Sequence, residues 1–240
     1  MIARGPGRMR VASSLLALAA MLLAHASPAF AYLKFGYQSN GKDRTLKWST
    51  TPIRYFVTDA GVPGVSPSQF QAAVAAAFGT WAAVPTSAVD FQFAGFTRSL
   101  PGEDDGRSTL GFLSEPDLDR VLASTSYLID DVTGDLIESD IFFNSTFSCS
   151  VATAGERGRW DLQSIATHEI GHFSGLGHSA IGETELIAGS AGGRRVLSTG
   201  STMFPIALGA GDISGRTLQD DDVAGISDLY PDGGFATKTG

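Results

Sequence analysis

The sequence predicts a single domain of the α+β class, and three observations lead to that prediction. Five short segments alternate apolar with polar residues or are rich in β-forming side chains, which is typical of strands. Two helices are predicted among them, and a third follows a long stretch of glycine, serine, alanine and threonine. Helix, strands, helix, loop and helix in this order indicate an α+β fold, and no internal repeat or second domain is evident.

The first helix has a clear start and a clear core face. Ser66 is its N-cap, Pro67 takes the first helical position, and Gln69 completes a capping box. Apolar residues then recur at helical spacing and are expected to pack against the sheet, namely Phe70, Val74, Phe78 and Trp81. The strands are predicted at residues 52–57, 89–93, 108–113, 121–128 and 137–143.

The second helix is predicted over residues 161–175 and carries most of the histidines. Residues 179–215 are rich in small and polar residues, which predicts a loop. Thr217 then opens the last helix, with Asp220 in the capping-box position, and the helix runs to Tyr230, just before a proline.

The first 31 residues are typical of a secretory signal peptide. Three arginines lie among the first ten residues, an apolar run follows over residues 11–24, and the pattern Ala-Phe-Ala at residues 29–31 marks a cleavage site before Tyr32. The apolar run is too short to span a bilayer. We therefore expect an exported protein, secreted or periplasmic, without a stable membrane anchor.

Composition narrows the class of partner. Residues 32–240 number 209, which suits one domain with a substantial core, with residues 232–240 expected to form a flexible tail. They carry 14 basic and 25 acidic residues, a net charge of −11 with neutral histidine. This charge argues against nucleic acid or anionic lipid as a partner, and we expect a monomer.

With one cysteine the chain cannot form an intramolecular disulfide, and a metal ion is a natural substitute for that stabilising cross-link.

Three of the four histidines lie in the segment HEIGHFSGLGH, residues 168–178. On a helix, His168 and His172 lie four positions apart and share one face, so both imidazoles can reach a single metal ion. Glu169 lies one position further along, near that ion but not aligned with both histidines. It is therefore placed to contact a water on the metal.

His178 can join the same ion only if the helix ends and the chain turns back. Six further helical residues would carry it about 9 Å along the axis. Gly175 lies where a left-handed C-terminal bend needs a residue without Cβ, and Gly177 gives the returning chain further freedom. The spacing therefore predicts a zinc site held by the three histidines, with Glu169 as the catalytic base.

A single methionine, Met203, remains after the predicted cleavage site, 25 residues beyond the third histidine. The pattern H-E-x-x-H-x-x-G-x-x-H followed by a methionine turn is the signature of the metzincin zinc proteases. In these proteins the methionine forms an apolar floor beneath the histidines, a space that a polarizable thioether fills well.

Among metzincins, the chain resembles the matrixins, the family of the matrix metalloproteinases and their bacterial relatives. Together with the helix around Trp81, the resemblance spans most of residues 47–231. It rests on the histidine segment through Ser179, the Met-x-Pro turn at residues 203–205, the aspartate-rich helix at residues 218–230, and the pairs Leu122-Ala123 and Gly134-Asp135.

The resemblance implies a twisted five-stranded sheet, mostly parallel with one antiparallel edge strand, and three helices. It also implies a zinc endopeptidase that binds protein or peptide substrates as an extended strand. Leu122 and Ala123 would belong to the edge strand that pairs with substrate. Phe204, Pro205 and Ile206 would line the pocket that selects the substrate side chain.

The sequence departs from the family in three ways. Residues 32–46 form an N-terminal extension too short for a prodomain, and no cysteine-containing latency motif is present. Ser124 stands where a histidine of the family's structural zinc site would lie, so we expect one zinc ion, the catalytic one. The 23 residues between Ser179 and Met203 exceed the family's usual short link.

The sequence allows two roles for an acidic turn and two roles for the single cysteine. Carboxylates around the turn near residue 133 are candidate calcium ligands, although a solvated turn explains them equally well. They are Asp131, Asp135, Glu138 and Asp140. Cys149 is either a zinc ligand or a small buried hydrophobe, and the second role is the more usual one for a free thiol.

The sequence thus predicts a secreted zinc endopeptidase in which Glu169 takes the proton of the attacking water and passes it to the leaving amine. Two alternatives remain open. One is a secreted, zinc-stabilised module that binds peptides without cleaving them. The other is a highly selective peptidase of cell-surface proteins.

Overall fold

The computed structural model of the protein describes residues 30–189 and 193–233. Most of the predicted signal peptide and residues 234–240 of the predicted tail therefore lie outside the described residues. The α-helices are α1 (Pro67–Ala82), α2 (Leu162–Phe173) and α3 (Asp220–Leu229), and a 3₁₀ turn spans Ser214–Arg216. The strands are β1 (Gly36–Ser39), β2 (Lys42–Thr45), β3 (Ile53–Thr58), β4 (Phe91–Thr97), β5 (Thr109–Leu113), β6 (Ala123–Ile129), β7 (Leu136–Asn144), β8 (Cys149–Ser150), β9 (Trp160–Asp161), β10 (Gly182–Leu186) and β11 (Arg194–Thr199).

Five strands form the central sheet, in the order β4-β3-β5-β7-β6. The strand β3 pairs in parallel with β4 and β5, and β5 pairs in parallel with β7. The strand β6 runs antiparallel to β7 and forms one edge of the sheet. The predicted fold, a mostly parallel five-stranded sheet with one antiparallel edge strand and three helices, is confirmed.

The helix α1 begins at the predicted capping box. The Ser66 hydroxyl accepts a hydrogen bond from the Gln69 amide at 3.3 Å, and the Gln69 side chain accepts one from the Ser66 amide at 2.9 Å. The four apolar residues of the predicted stripe are buried, each contributing about 1.5–3 kcal/mol of burial free energy. The Trp81 indole also donates to the Thr167 carbonyl at 2.8 Å, which joins α1 to α2.

Two predictions about the C-terminal third of the chain were wrong. The segment predicted as loop contains an antiparallel hairpin of β10 and β11. Most residues of its strands are exposed and four are charged, so the strands lack the apolar alternation that marks a half-buried strand. The last helix begins later than predicted, because Gln219 is its N-cap and the buried Asp222, not Asp220, completes its capping box.

The predicted N-terminal extension forms the hairpin of β1 and β2, and the residues before it contact two other parts of the molecule. The Phe35 amide donates to the Gly175 carbonyl at 2.8 Å. The amides of Ala31 and Tyr32 donate to the carboxylate of Asp221 at 2.6 and 3.0 Å. None of the described helices combines the length and the apolar composition that a bilayer span requires.

A buried ion pair holds the start of α2. Asp161 is the N-cap of this helix, and its carboxylate accepts from the Ser164 amide at 2.8 Å. The guanidinium of Arg216 donates to both carboxylate oxygens and to the Ala152 carbonyl. The side chains of Asp161 and Arg216 are only 2% and 17% exposed. Burial alone would raise the pKa of Asp161, but the hydrogen bonds from Arg216 and Ser164 outweigh it and hold the pKa below its ordinary value.

Replacing Arg216 by methionine is expected to lower the free energy of unfolding by about 3 kcal/mol, because Asp161 would stay buried without its partner. Urea denaturation at pH 7 measures this loss. Since folding lowers the pKa of Asp161, the pair stabilises the protein above the unfolded pKa and this stabilisation fades as the pH falls through the folded one. The difference from the wild type should therefore shrink below about pH 4.

Arg98→Met is the matched control, because Arg98 makes an exposed ion pair with Asp59, with side chains 92% and 51% exposed. Exposed pairs contribute little to stability, so this variant should unfold close to the wild type. Equal losses for the two arginine variants would contradict the role assigned to Arg216.

Candidate metal centre and cleft

The three histidines come together at the C-terminal end of α2. His168 and His172 lie one turn apart on the helix, which ends at Phe173. Gly175 then adopts φ +100°, and a Cβ at this position would collide with the carbonyl of Leu46. Only glycine fits this bend without strain, and the bend returns the chain so that His178 faces the other two histidines. The predicted helix end and glycine turn are confirmed.

The geometry of the three rings fits one metal ion. Their ligand nitrogens all lie within 4.8 Å of one another, and the Nε2 atoms of His172 and His178 are 3.1 Å apart. Two nitrogens bound to one tetrahedral zinc ion would lie about 3.3 Å apart. Within the residues that the structure describes, no other group of three or more histidine, cysteine or acidic side chains converges in this way.

Two backbone carbonyls orient the rings. The Nδ1 atom of His168 lies 2.7 Å from the Thr202 carbonyl, and that of His172 lies 2.8 Å from the Leu176 carbonyl. A carbonyl oxygen only accepts, so each ring carries its proton on Nδ1 and presents Nε2 to the centre of the cluster. Such outer hydrogen bonds are the usual support of metal-binding histidines.

The lowered pKa values of the histidines also favour binding of a metal cation. Burial lowers the pKa of His168 and of His172 to about 4, and it lowers the pKa of His178 as well. Zinc binds the neutral imidazole, so no proton has to be displaced near neutral pH. The donor set therefore fits zinc.

Glu169 lies beside the histidines and is only 6% exposed. Burial raises the pKa of its carboxyl, while the neighbouring His172 and a hydrogen bond from Thr125 act against that rise. The Thr125 hydroxyl lies 2.7 Å from Glu169 Oε2. A carboxylate in this position can exchange a proton with a group bound at the cluster.

Met203 packs beneath the histidine helix and is 1% exposed. Gly171 makes this contact possible, because a Cβ there would overlap the sulfur of Met203 and the ring of Trp81. The carbonyl of Met203 accepts a hydrogen bond from the Ser179 amide at 2.9 Å, just after the third histidine. The methionine turn is thus attached to both the helix and the returning chain.

Two consecutive aspartates of α3 support this arrangement. Asp222 is fully buried, and its carboxylate accepts from the Ser201 hydroxyl at 2.5 Å and from the amides of Thr202 and Met203 at 2.7 and 3.1 Å. Asp221 accepts from the hydroxyl of Ser179 at 2.6 Å. The last helix therefore fixes the methionine turn. The Thr202 carbonyl in that turn is the hydrogen-bond acceptor that orients His168.

A cavity of about 900 Å³ opens beside the cluster. His168, Glu169 and His178 lie in its wall. The five residues predicted to contact substrate all line this cavity, namely Leu122, Ala123, Phe204, Pro205 and Ile206. The unforeseen hairpin also contributes to the wall, through Arg194, Ser198 and Thr199.

The candidate calcium ligands are not gathered in one place. Asp131 is exposed and Asp135 half-buried in the turn between β6 and β7, whereas Glu138 and Asp140 are buried on β7. The carboxylate of Asp140 already accepts hydrogen bonds from two backbone amides, at 2.5 and 2.7 Å. This arrangement gives the calcium prediction no support.

Cys149 is a free, buried thiol, with 5% of its surface exposed. Burial raises its pKa to about 11, so it stays protonated at neutral pH and is a poor metal ligand. It is not among the side chains that converge at the histidine cluster. Its surroundings are those of a small buried hydrophobe.

Several residues that support the site were not predicted from the sequence. Thr125 contacts the glutamate across 44 residues of sequence, which no local pattern reveals. Gly171 did carry a signal, because a glycine inside a helix lowers its stability and needs a packing reason. Asp221 and Asp222 belong to the aspartate-rich helix of the resemblance, which predicts no role for either carboxylate.

Comparison with known families agrees with this geometry. The sequence model of the matrixin peptidases matches residues 47–188. The chain belongs to the matrixin family. Matrixins are zinc-dependent endopeptidases, so the family resemblance and the expectation of a zinc metallopeptidase are confirmed. The matched segment of this matrixin holds the five-stranded sheet, α1, α2 and the three histidines, whereas Met203 and α3 lie beyond it.

Proposed function

We propose that this matrixin is exported and hydrolyses peptide bonds within extended segments of proteins, with Glu169 as the general base. The main observation behind the proposal is that three histidines converge beside a buried glutamate, and that two of them, His168 and His178, lie with Glu169 in the wall of one open cavity. A zinc site that serves only structure usually closes its fourth position with a protein ligand and needs no base.

The chain's own residues supply three parts of the reaction. His168, His172 and His178 would hold one zinc ion through their Nε2 atoms. When bound, this ion supplies a Lewis acid that lowers the pKa of a water molecule and polarises the scissile carbonyl. Glu169 takes a proton from the attacking water and delivers it to the leaving amine.

The cleft would hold substrate as an additional strand. Among the described residues, strand β6 pairs only with β7 in the central sheet, so its other edge is available beside Leu122 and Ala123. Backbone hydrogen bonds to such an edge bind any extended peptide, while a pocket selects the side chain. We assign that pocket to the opposite wall, at Phe204, Pro205 and Ile206.

The decisive experiment uses the protein as it is exported. Expressed with its leader, it should be recovered from the periplasm or the medium with a mass that corresponds to residues 32–240. This protein is expected to contain one zinc ion per chain, with no second metal, and to cleave an unstructured protein such as casein in a way that a chelator abolishes.

One zinc ion without cleavage of casein or of a broad peptide library would contradict the proposal and favour a peptide-binding module. Cleavage confined to a few library members would indicate a highly selective peptidase. Size-exclusion chromatography of the same sample tests the expected monomer.

A further inference from the structure

The edge strand β6 contacts the histidine helix through hydroxyl groups on its inner face. The Thr125 hydroxyl lies 2.7 Å from Glu169 Oε2, and the Tyr127 hydroxyl donates to the His172 carbonyl at 3.1 Å. Residues two apart on a strand point to the same face, so both side chains reach α2 from the same strand. The strand that we expect to bind substrate is thus joined directly to the glutamate and to a metal-binding residue.

The contact with the glutamate has a defined direction. An ionised carboxylate only accepts hydrogen bonds, so Thr125 is the donor. Its single proton has two acceptors on Glu169, Oε2 at 2.7 Å and the backbone carbonyl at 3.2 Å, and the carboxylate is the closer. Among the described residues, no other hydrogen bond to this carboxylate is present.

We propose that Thr125 is a positioning residue for the general base, a role that rests on the proposed peptidase function. By occupying Oε2, the hydroxyl fixes the carboxylate in one orientation and leaves Oε1 to take the proton of the attacking water. A glutamate side chain has several freely rotating bonds, and a reacting group displaced by about 1 Å can lose on the order of 100-fold in rate.

The location of Thr125 adds a second consequence. Because it lies on β6, the hydroxyl fixes the glutamate relative to the strand that would hold the peptide. Base and scissile bond are therefore placed by the same element. Loss of the hydroxyl should leave the strand's backbone, and hence substrate binding, largely unchanged while the chemical step slows.

The test compares two substitutions at one position. Thr125→Val removes the hydroxyl and keeps the shape of the side chain, whereas Thr125→Ser keeps the hydroxyl and removes a methyl group. We expect the valine variant to lose about 10- to 100-fold in kcat with KM within twofold of the wild type. The serine variant should recover most of the loss. Ser124→Ala is the matched control, since this side chain points to the opposite face of the strand.

Two further readouts do not depend on turnover. Zinc content and the thermal midpoint of Thr125→Val should equal those of the wild type. A crystal structure of the variant should show Glu169 in more than one conformation. If the valine variant fails to fold, Thr125→Ala replaces it in every comparison.

The proposal is overturned if Thr125→Val raises KM and leaves kcat unchanged, since the residue would then only shape the substrate site. It is equally overturned if the serine and valine variants lose the same activity, or if the valine variant holds Glu169 in its original conformation. Failure of the peptidase function itself would appear in the wild type, which would cleave nothing. In that case the crystal structure of the variant still tests the contact.

Discussion

Glu169→Gln is expected to lower kcat by about 10²–10⁴-fold while zinc remains bound, because the amide cannot take up the proton of the attacking water. Glutamine has nearly the same shape as glutamate, and its carbonyl oxygen can still accept the hydrogen bond from Thr125. The three histidines are untouched, so the metal site and the fold should persist. Steady-state kinetics on a fluorogenic peptide, together with zinc analysis and the thermal midpoint, measure the effect.

Glu103→Gln is the matched control for this substitution, because Glu103 is exposed and lies outside the cavity wall. It should retain full activity. A Glu169→Gln protein that keeps its zinc and cleaves at a rate close to that of the wild type would refute the assignment of Glu169 as general base.

His178→Ala is expected to abolish detectable turnover through loss of the metal. His178 is the exposed member of the cluster, so its replacement removes a ligand with little loss of buried packing. With two histidines left, the site lacks the three protein ligands of a catalytic zinc ion. Zinc content should fall below one per chain, and the thermal midpoint should fall with it, because metal that binds only the folded state stabilises that state.

Chelation of the wild type provides the companion measurement. Its activity should vanish with the metal and return when zinc is added, whereas added zinc should not restore His178→Ala. Full activity of His178→Ala at stoichiometric zinc would rule out the three-histidine site.

The free energy of unfolding of the zinc-free protein should also depend on pH. Folding lowers the pKa of His168 and His172 to about 4, below the value of about 6.5 that histidine has in an unfolded chain. The unfolded state therefore takes up protons first as the pH falls. The contribution of these two histidines to stability should be largest above about pH 6.5 and should decline towards pH 4, and urea denaturation of the zinc-free chain at pH 7 and pH 5 measures the decline.

The histidine segment and the first helix could be predicted because their signals are local. His168, His172 and Gly175 define both the ligand geometry and the end of the helix within eight residues of sequence. The capping box at Ser66 works in the same way. In each case a short pattern specifies a backbone conformation, and the structure follows it.

Other parts of the molecule depend on contacts that no short pattern contains. The hairpin of β10 and β11 is held by cross-strand pairs such as Arg195 with Glu185, with little apolar burial to mark it. The strand β4 continues to Thr97, beyond its predicted end at residue 93. The prediction ended too early because Gly95, at φ +127°, interrupts the alternation of side chains on which it rested. The contact of Thr125 with Glu169 requires the sheet to be assembled first, and sequence spacing says nothing about it.

The support that α3 gives to the methionine turn has a consequence for the timing of synthesis. The three histidines lie at residues 168–178, but the carboxylates of Asp221 and Asp222 that hold their surroundings come later in the chain, from α3. A nascent chain that ends before residue 220 has neither carboxylate, so the turn beneath the histidines lacks the three hydrogen bonds that Asp222 accepts from it. The surroundings of the histidine cluster can therefore be completed only after α3 has been synthesised.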